Sequence, residues 1–400
     1  MANIQDFPEI VNYRFFAPTE IFFGWGEHRE LGAHVARLGR RALILTGGEH
    51  LDTSGTFEAI VSSLEHAGIR CRRIGRLGRE PQTTDIDRLV AETRRLDPKP
   101  GDFLLAIGGG AVIDAAKAIA GLALDPRDVR IVDFLENVGR GYRLVVDPMP
   151  LAAVPTTAGT GAEVTKNAVI SSLDPPFKKS FRDPRLIPQV AIVDPELTVS
   201  CPKSVTAAAG MDAITQLIES YISKTAKPIP RALAISILPS ALHALPRAFE
   251  DPDDRRARTV MAQAALLSGM CLANSGLGMA HGVAAALGVF NGVPHGLACA
   301  VMLPVALRTN RSVCTESLVE LAEATGTAPA DAAADTAVDA LIDRIEVLCE
   351  RLEIPRRLRD LGVDREQLPA IAKASYGNSM NGNPRTLSVD ELTAILEAAW

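Results

Sequence analysis

The sequence predicts two domains of different class along its 400 residues: an α/β domain built on a parallel sheet over residues 1–198, and an all-helical domain over 199–400. Three observations predict this. Short apolar runs alternate with amphipathic segments through the first half, which is the pattern of a parallel sheet covered by helices. The strongest of those runs ends on three glycines. Beyond residues 195–202 apolar residues recur at helical spacing and no strand pattern stands out.

In chain order, Arg41–Thr46 reads as a strand closed by Gly47-Gly48, and Phe57 to Ala67 as the helix after it. Arg72-Arg73-Ile74 is a weaker strand. Thr84-Asp85-Ile86-Asp87 opens a helix with a capping-box-like start that runs to Leu96. Phe103–Ile107 has the uninterrupted apolar character of a strand covered on both faces. Leu151–Val154 and Val190–Val193 extend the strand-rich part to Asp194-Pro195. Val205–Tyr221, Arg231–Leu245, Arg255–Ala273 and Asp335–Leu352 then carry helical spacing, and the alanine-rich stretch from Ala328 to Ala337 reads as a helix start.

Composition narrows the function classes. A 47% hydrophobic and 22% charged chain is an ordinary globular protein. A net charge of -6 with 4% aromatic residues argues against a nucleic-acid partner, which needs a continuous basic face. Short basic runs such as Arg70-Cys71-Arg72-Arg73 read as solvated surface. The six cysteines form no CxxC pair and read as reduced thiols. Met1–Asp6 has neither a basic nor an apolar leader region, and no uninterrupted apolar run reaches spanning length, so the expected place is the cytoplasm, away from membranes.

The turn Gly108-Gly109-Gly110 lies between the best strand and a helix that carries Asp114 and Lys117. Three residues without side chains let a backbone approach a pyrophosphate, while the N–H groups of the helix start point at its charge. A second polar turn, Pro155-Thr156-Thr157-Ala158-Gly159-Thr160-Gly161, again follows an apolar run and precedes a possible helix. Together the two loops predict a Rossmann-like domain holding a dinucleotide at the carboxyl edge of its sheet. Such folds commonly place a carboxylate at the end of an early strand to accept from the ribose 2′-OH. Gly47 occupies that place here. Without a carboxylate there, the repulsion against a 2′-phosphate is removed and NADP is admitted beside NAD; the alternative is that Gly47 is only a turn and Glu49 or Asp52 supplies the ribose contact.

Asp212 and Gln216, four apart in a helical stretch, project from one face. His281 and His295, each followed by glycine, lie in a largely apolar region. One carboxylate and two imidazoles make a site for a divalent first-row metal, Fe2+ or Zn2+, to which Gln216 can add a neutral carbonyl oxygen.

These motifs resemble the iron-containing alcohol dehydrogenase family. The resemblance runs through Ile21-Phe22-Phe23-Gly24-Trp25-Gly26, the glycine loop, Pro155-Thr156-Thr157, Asn167, Ile192-Val193-Asp194-Pro195, Gly210-Met211-Asp212-Ala213, both His-Gly pairs, Met302-Leu303-Pro304 and Gly382-Asn383-Pro384-Arg385. It implies a dehydroquinate synthase-like architecture with a cleft between the two domains. It implies the metal ligands Asp212, Gln216, His281 and His295, with Gln216 standing where the family has histidine. Cofactor contacts are implied at Gly47, Gly108, Gly109, Gly110, Asp114, Thr156, Thr157, Thr160 and Lys178, with the adjoining Lys179 as the other lysine in reach.

The implied reaction interconverts a small alcohol and its aldehyde or ketone by hydride transfer with NAD or NADP, and the implied assembly is a homodimer or larger homo-oligomer. Asp212, His281 and His295 are the expected catalytic centre, and Asn167 the residue that orients the substrate. Ala285 replaces a histidine that some members carry for proton transfer, which leaves water and cofactor hydroxyls as the proton route. Three other readings compete: a maleylacetate-type reductase of an oxo acid, a lyase akin to dehydroquinate synthase, and a nucleotide-binding relative with weakened catalysis. The first two need cationic substrate pockets, and Met279–Leu303 contains neither lysine nor arginine.

Overall fold

A computed structural model describes residues 12–400; the stretch Met1–Asp6, on which the expectation about a leader rests, lies outside the described residues. Eight strands precede the helical half: β1 (Glu20–Phe23), β2 (Arg41–Thr46), β3 (Arg70–Arg76), β4 (Asp102–Gly108), β5 (Leu151–Pro155), β6 (Asn167–Leu173), β7 (Pro176–Arg182) and β8 (Val190–Val193). Six form one sheet in the order β1-β8-β5-β4-β2-β3, with every pairing parallel. The remaining two form an antiparallel hairpin.

Three long helices belong to this half: α1 (Thr56–His66), α2 (Thr83–Arg95) and α3 (Gly110–Ala123). Burial follows the two-residue period of a strand. Leu43, Leu45, Leu104 and Ala106 pack with Ile86 and Leu89 of α2 and Ile113 and Ile119 of α3. Ala42, Ile44, Phe103, Leu105 and Ile107 pack on the opposite face with Ile60 and Leu64 of α1. Every residue of β4, β5 and β8 is buried, whereas the edge strand β3 buries only Ile74 and turns arginines outward, which is why it reads weakly. The chain runs outward from β2 to β3 and returns to β4 on the other side of β2. That reversal opens a crevice at the carboxyl ends of β2 and β4, the place where open α/β sheets bind ligands.

Three features of this half depart from the expectations. The turn after Gly161 leads only to a 3-10 turn, Ala162–Val164, and not to a helix. The chain then forms the β6–β7 hairpin, hidden in the sequence because β7 carries Lys178, Lys179, Ser180 and Arg182 rather than an apolar alternation. The edge strand β1, with only four residues, was also unread.

After the 3-10 turn Pro195–Thr198 every regular element among the described residues is helical. The longer helices are α4 (Lys203–Ile222), α5 (Pro228–Glu250), α6 (Arg255–Ser275), α7 (Met279–Asn291), α8 (His295–Asn310), α9 (Thr315–Ala324), α10 (Ala334–Arg351) and α11 (Val389–Ala399). Helix α4 is the axis of this half, buried at every residue from Gly210 to Ile222. Helix α7 is buried almost all round and so shows no apolar stripe, which kept it out of the sequence reading. Helix α5 amends the expectation about spanning length, since it is long and apolar enough to cross a membrane. Its Leu238, Ala241, Leu242 and Leu245 nevertheless pack into the helical core.

Candidate active site

The glycine loop joins β4 to α3. Gly108 closes the strand, Gly109 caps the helix with extended backbone, and Gly110 is the first helical residue. The Thr-rich turn after β5 lies against it: Thr156 N donates to Gly108 O at 3.1 Å. A side chain at Gly110 would meet Thr160 Oγ1 at 2.5 Å, and one at Gly109 would meet Thr157 Oγ1 at 3.3 Å. The absence of Cβ atoms is thus what lets the two loops sit side by side over the free N–H groups of α3. Gly47, whose N–H donates to Ile107 O at 3.0 Å, completes this edge.

The second cluster lies in the helical half. Asp212 of α4, His281 of α7, and His295 and Cys299 of α8 bring their ligand atoms within 4.8 Å of one another. His281 Nε2 is 3.2 Å from Asp212 Oδ1, and His295 Nε2 is 3.9 Å from the same oxygen. Close approach of two helices makes this possible. A Cβ on Gly296 would lie 2.2 Å from Ala208 O of α4 and 3.3 Å from Asp212 Cβ, so only glycine lets the start of α8 seat His295 beside Asp212. Asp212, His281 and Cys299 are buried, and His295 is the partly exposed member facing outward.

Glu219, two turns after Asp212 on α4, orients His281. Its carboxylate accepts from His281 Nδ1 at 2.7 Å and from the N–H groups of Gly278 and Ala280 at 2.9 and 2.7 Å. The imidazole therefore turns Nε2 toward Asp212, the arrangement by which outer carboxylates fix metal-binding histidines. Burial opposes charge on Asp212, but the His281 hydrogen bond, the two imidazoles and a Gln216 hydrogen bond hold its carboxyl below the ordinary value. His281 is raised well above its ordinary value. Burial works against its charge, and the Cys299 sulfur, Asp212 and Glu219 outweigh that. Burial, and after it the Lys178 charge, push His295 down to about 4, leaving it a neutral imidazole at neutral pH. A buried carboxylate facing two imidazoles, with a second carboxylate behind one of them, suits a cation, and the nitrogen, oxygen and sulfur donors suit a divalent first-row metal.

The predicted residues divide into those the fold gathers and those it employs elsewhere. Gly47, Gly108, Gly109, Gly110, Thr156, Thr157 and Thr160 share the sheet edge. Lys178 reaches out of the hairpin to Glu80 at 2.5 Å, and its Nζ comes within 3.8 Å of the position a Cβ on Gly288 of α7 would take, between the two clusters. Asp114 is engaged away from the nucleotide edge. Its oxygens meet Lys117 Nζ at 3.2 Å and accept from Val169 N at 3.0 Å, tying α3 to the hairpin. Asn167 starts that hairpin, and its carbonyl accepts from the fully buried Lys117 at 2.9 Å. Among the described residues no hydrogen bond joins Asn167 to the Asp212 cluster. Gln216 is buried with Oε1 accepting from Ser268 Oγ at 2.9 Å, so its oxygen faces a hydroxyl, where a carbonyl ligand was expected. Glu219, Cys299 and Glu80 went unassigned in the sequence. Four-residue spacing from His295 was the available signal for Cys299.

Comparison with known proteins covers both halves. Residues 18–195 match the family described as iron-containing alcohol dehydrogenase, and residues 206–400 match the C-terminal part of the Fe-containing alcohol dehydrogenase family. Lactaldehyde reductase of Escherichia coli K12 is 32% identical over 386 residues, spanning 95% of this chain and 97% of that protein. 1,3-Propanediol dehydrogenase of Klebsiella pneumoniae is 32% identical over 398 residues, 98% of this chain and 100% of that protein. A crystal structure of 1,3-propanediol oxidoreductase superposes with a TM-score of 0.89 at 31% identity, covering 98% of this chain and 100% of that one.

Proposed function

This chain belongs to the iron-containing alcohol dehydrogenase family and is an NAD(P)-dependent enzyme interconverting alcohols and aldehydes, and from that premise we propose how its own residues carry the reaction. The observation that carries the reading is the convergence of Asp212, His281 and His295 in the helical half, whose helices α4 and α6 pack on the Thr-rich turn at Gly159 and Gly161. These three hold a divalent metal, Fe2+ or Zn2+. Such a cation supplies Lewis acidity at the substrate oxygen.

The remaining work falls to the protein. The N–H groups at the start of α3 bind the pyrophosphate, and Thr156, Thr157 and Thr160 fix the coenzyme beside them. Glu219 keeps His281 in one tautomer. Asn167 orients the substrate at the mouth of the hairpin. The alanine at position 285 offers no proton acceptor, so the proton passes through water and the coenzyme hydroxyls. The enzyme is expected to work as a homodimer or larger assembly, carried over from the family, and in the cytoplasm, the expectation from the sequence.

The substrate is a small neutral alcohol or aldehyde, the class to which lactaldehyde and 1,3-propanediol belong. The Lys178 charge reaches His295 of the metal cluster, and Glu80 pairs with Lys178 at 2.5 Å. That pairing disfavours the oxo-acid alternative. Rates of lactaldehyde and propanal reduction compared with maleylacetate reduction test the assignment, and faster turnover of the dianion would refute it.

For the coenzyme we favour NADP(H). Gly47 leaves the end of β2 without a carboxylate, and Arg76, paired in register with Thr46 on the neighbouring strand, is partly exposed in an ion pair with Asp52 at 2.6 Å that a 2′-phosphate would compete for. A Cβ on Gly47 would have only ordinary contacts, 3.8 Å to Gly108 and Val112, so an aspartate fits there. The Gly47→Asp variant is expected to shift the NADPH:NADH ratio of kcat/KM toward NADH by about tenfold or more, since a lost charge-assisted hydrogen bond is worth roughly 1.5–3 kcal/mol. An unchanged ratio in steady-state assays would remove Gly47 from the coenzyme site.

A further inference from the structure

Position 216 is where the family's site carries a histidine, and the glutamine there is already engaged through its oxygen. Its Oε1 accepts from Ser268 Oγ at 2.9 Å. A thiol closes the ring of donors from another helix. Cys299 follows His295 by one turn of α8, so the two side chains share a face. Its Sγ lies 3.8 Å from His295 Nε2. The other cysteines of the helical core turn elsewhere: Cys271 to Pro230 O, Cys314 to Asn310 O and Cys349 to Ala300 O.

The spacing is that of a coordination shell. Donors held tetrahedrally at about 2.0–2.3 Å from a common centre stand ~3.3–3.8 Å apart. The edges here are 3.2 Å from His281 Nε2 to Asp212 Oδ1, 3.9 Å from His295 Nε2 to that oxygen, and 3.8 Å from His295 Nε2 to Cys299 Sγ. All four donors fit within 4.8 Å. Three of the six edges are thus near coordination spacing, and the rest need at most about an ångström of closure around an ion.

We infer that Cys299 supplies a thiolate ligand to the metal in place of the histidine absent at position 216, giving an Asp212, His281, His295, Cys299 donor set with Gln216 outside it. The inference rests on the metal-site reading above. Coordination breaks the S–H bond and forms the S–metal bond, and the proton leaves to solvent. Gln216 then serves as the donor that steadies Asp212.

Cobalt(II) added to the metal-free protein separates the possibilities by absorption. A bound cobalt ion shows d–d bands in the visible, and a sulfur ligand adds a charge-transfer band in the near ultraviolet. The wild-type protein is expected to show both. Cys299→Ser should keep the d–d bands, lose the charge-transfer band and bind cobalt at least about tenfold more weakly, given that even outer-shell changes cost 10–100-fold. Adding Gln216→His to Cys299→Ser should restore affinity without restoring the band, a rescue that a merely structural cysteine would not allow. Visible bands without a charge-transfer band in the wild type, or a band that survives Cys299→Ser, would overturn the thiolate ligand and leave the metal site standing. No visible bands in the wild type would overturn both. Should Cys299→Ser fail to fold, the wild-type spectrum alone decides.

Discussion

Asp212→Asn is expected to lower kcat/KM for aldehyde reduction by about 10³-fold or more, because the Lewis acid it anchors contributes several kcal/mol and each 1.36 kcal/mol is tenfold. The carboxylate faces both imidazoles, at 3.2 and 3.9 Å, and is the one acidic member of the cluster. Asparagine keeps the shape and removes the charge. Coenzyme binding should change little, since the proposed pyrophosphate site is at the start of α3 in the other half. Fluorescence titration with NADPH and metal analysis check both expectations. Activity within tenfold of wild type, with the metal lost, would detach Asp212 and its metal from the chemistry.

Gly296→Ala is the larger test of how the fold builds the site. In an exposed helix the change would favour the fold by about 0.8–1 kcal/mol, because alanine is the better helix former. Here the new methyl would lie 2.2 Å from the backbone oxygen of Ala208, which cannot rotate away. Overpacking of this kind costs roughly 1–3 kcal/mol. The expected outcome is therefore reversed in sign: a lower Tm, helices α4 and α8 pushed apart, and weaker metal binding as His295 retreats from Asp212. A raised Tm with undiminished metal affinity would contradict the close approach.

How much of this was legible in the sequence depends on the physics of each element. Buried strands announce themselves, because Phe103–Ile107 and Val190–Val193 must be apolar on both faces. In the second half α4, α5, α6 and α10 were readable by their period, whereas α8 and the shorter α9 and α11 were not read. Nor was helix α7, since burial on nearly all sides erases a polar face. The β6–β7 hairpin was hidden by its lysines and arginine. At the site, Asp212, His281 and His295 were drawn from chemistry and motif, and the fold brings them together. Which atom of Gln216 faces Asp212 depends on a hydroxyl on α6, Ser268, fifty-odd positions away, and no local pattern encodes it. Asp114 looked like a loop residue beside the glycines, yet α3 turns it toward Lys117 and Val169. Cys299 was visible at helical spacing from His295, but a cysteine without a CxxC partner did not suggest a ligand.

The central claim is that a divalent metal held by Asp212, His281 and His295 drives NAD(P)-linked reduction of a small aldehyde. Its most direct test is to strip the metal anaerobically, confirm by circular dichroism that the fold survives, and follow propanal reduction with NADPH before and after adding back Fe2+ or Zn2+. The metal-free protein should bind NADPH yet turn over at a small fraction of the holoenzyme rate, with activity returning in proportion to metal bound. Full activity in the metal-free protein would contradict the account.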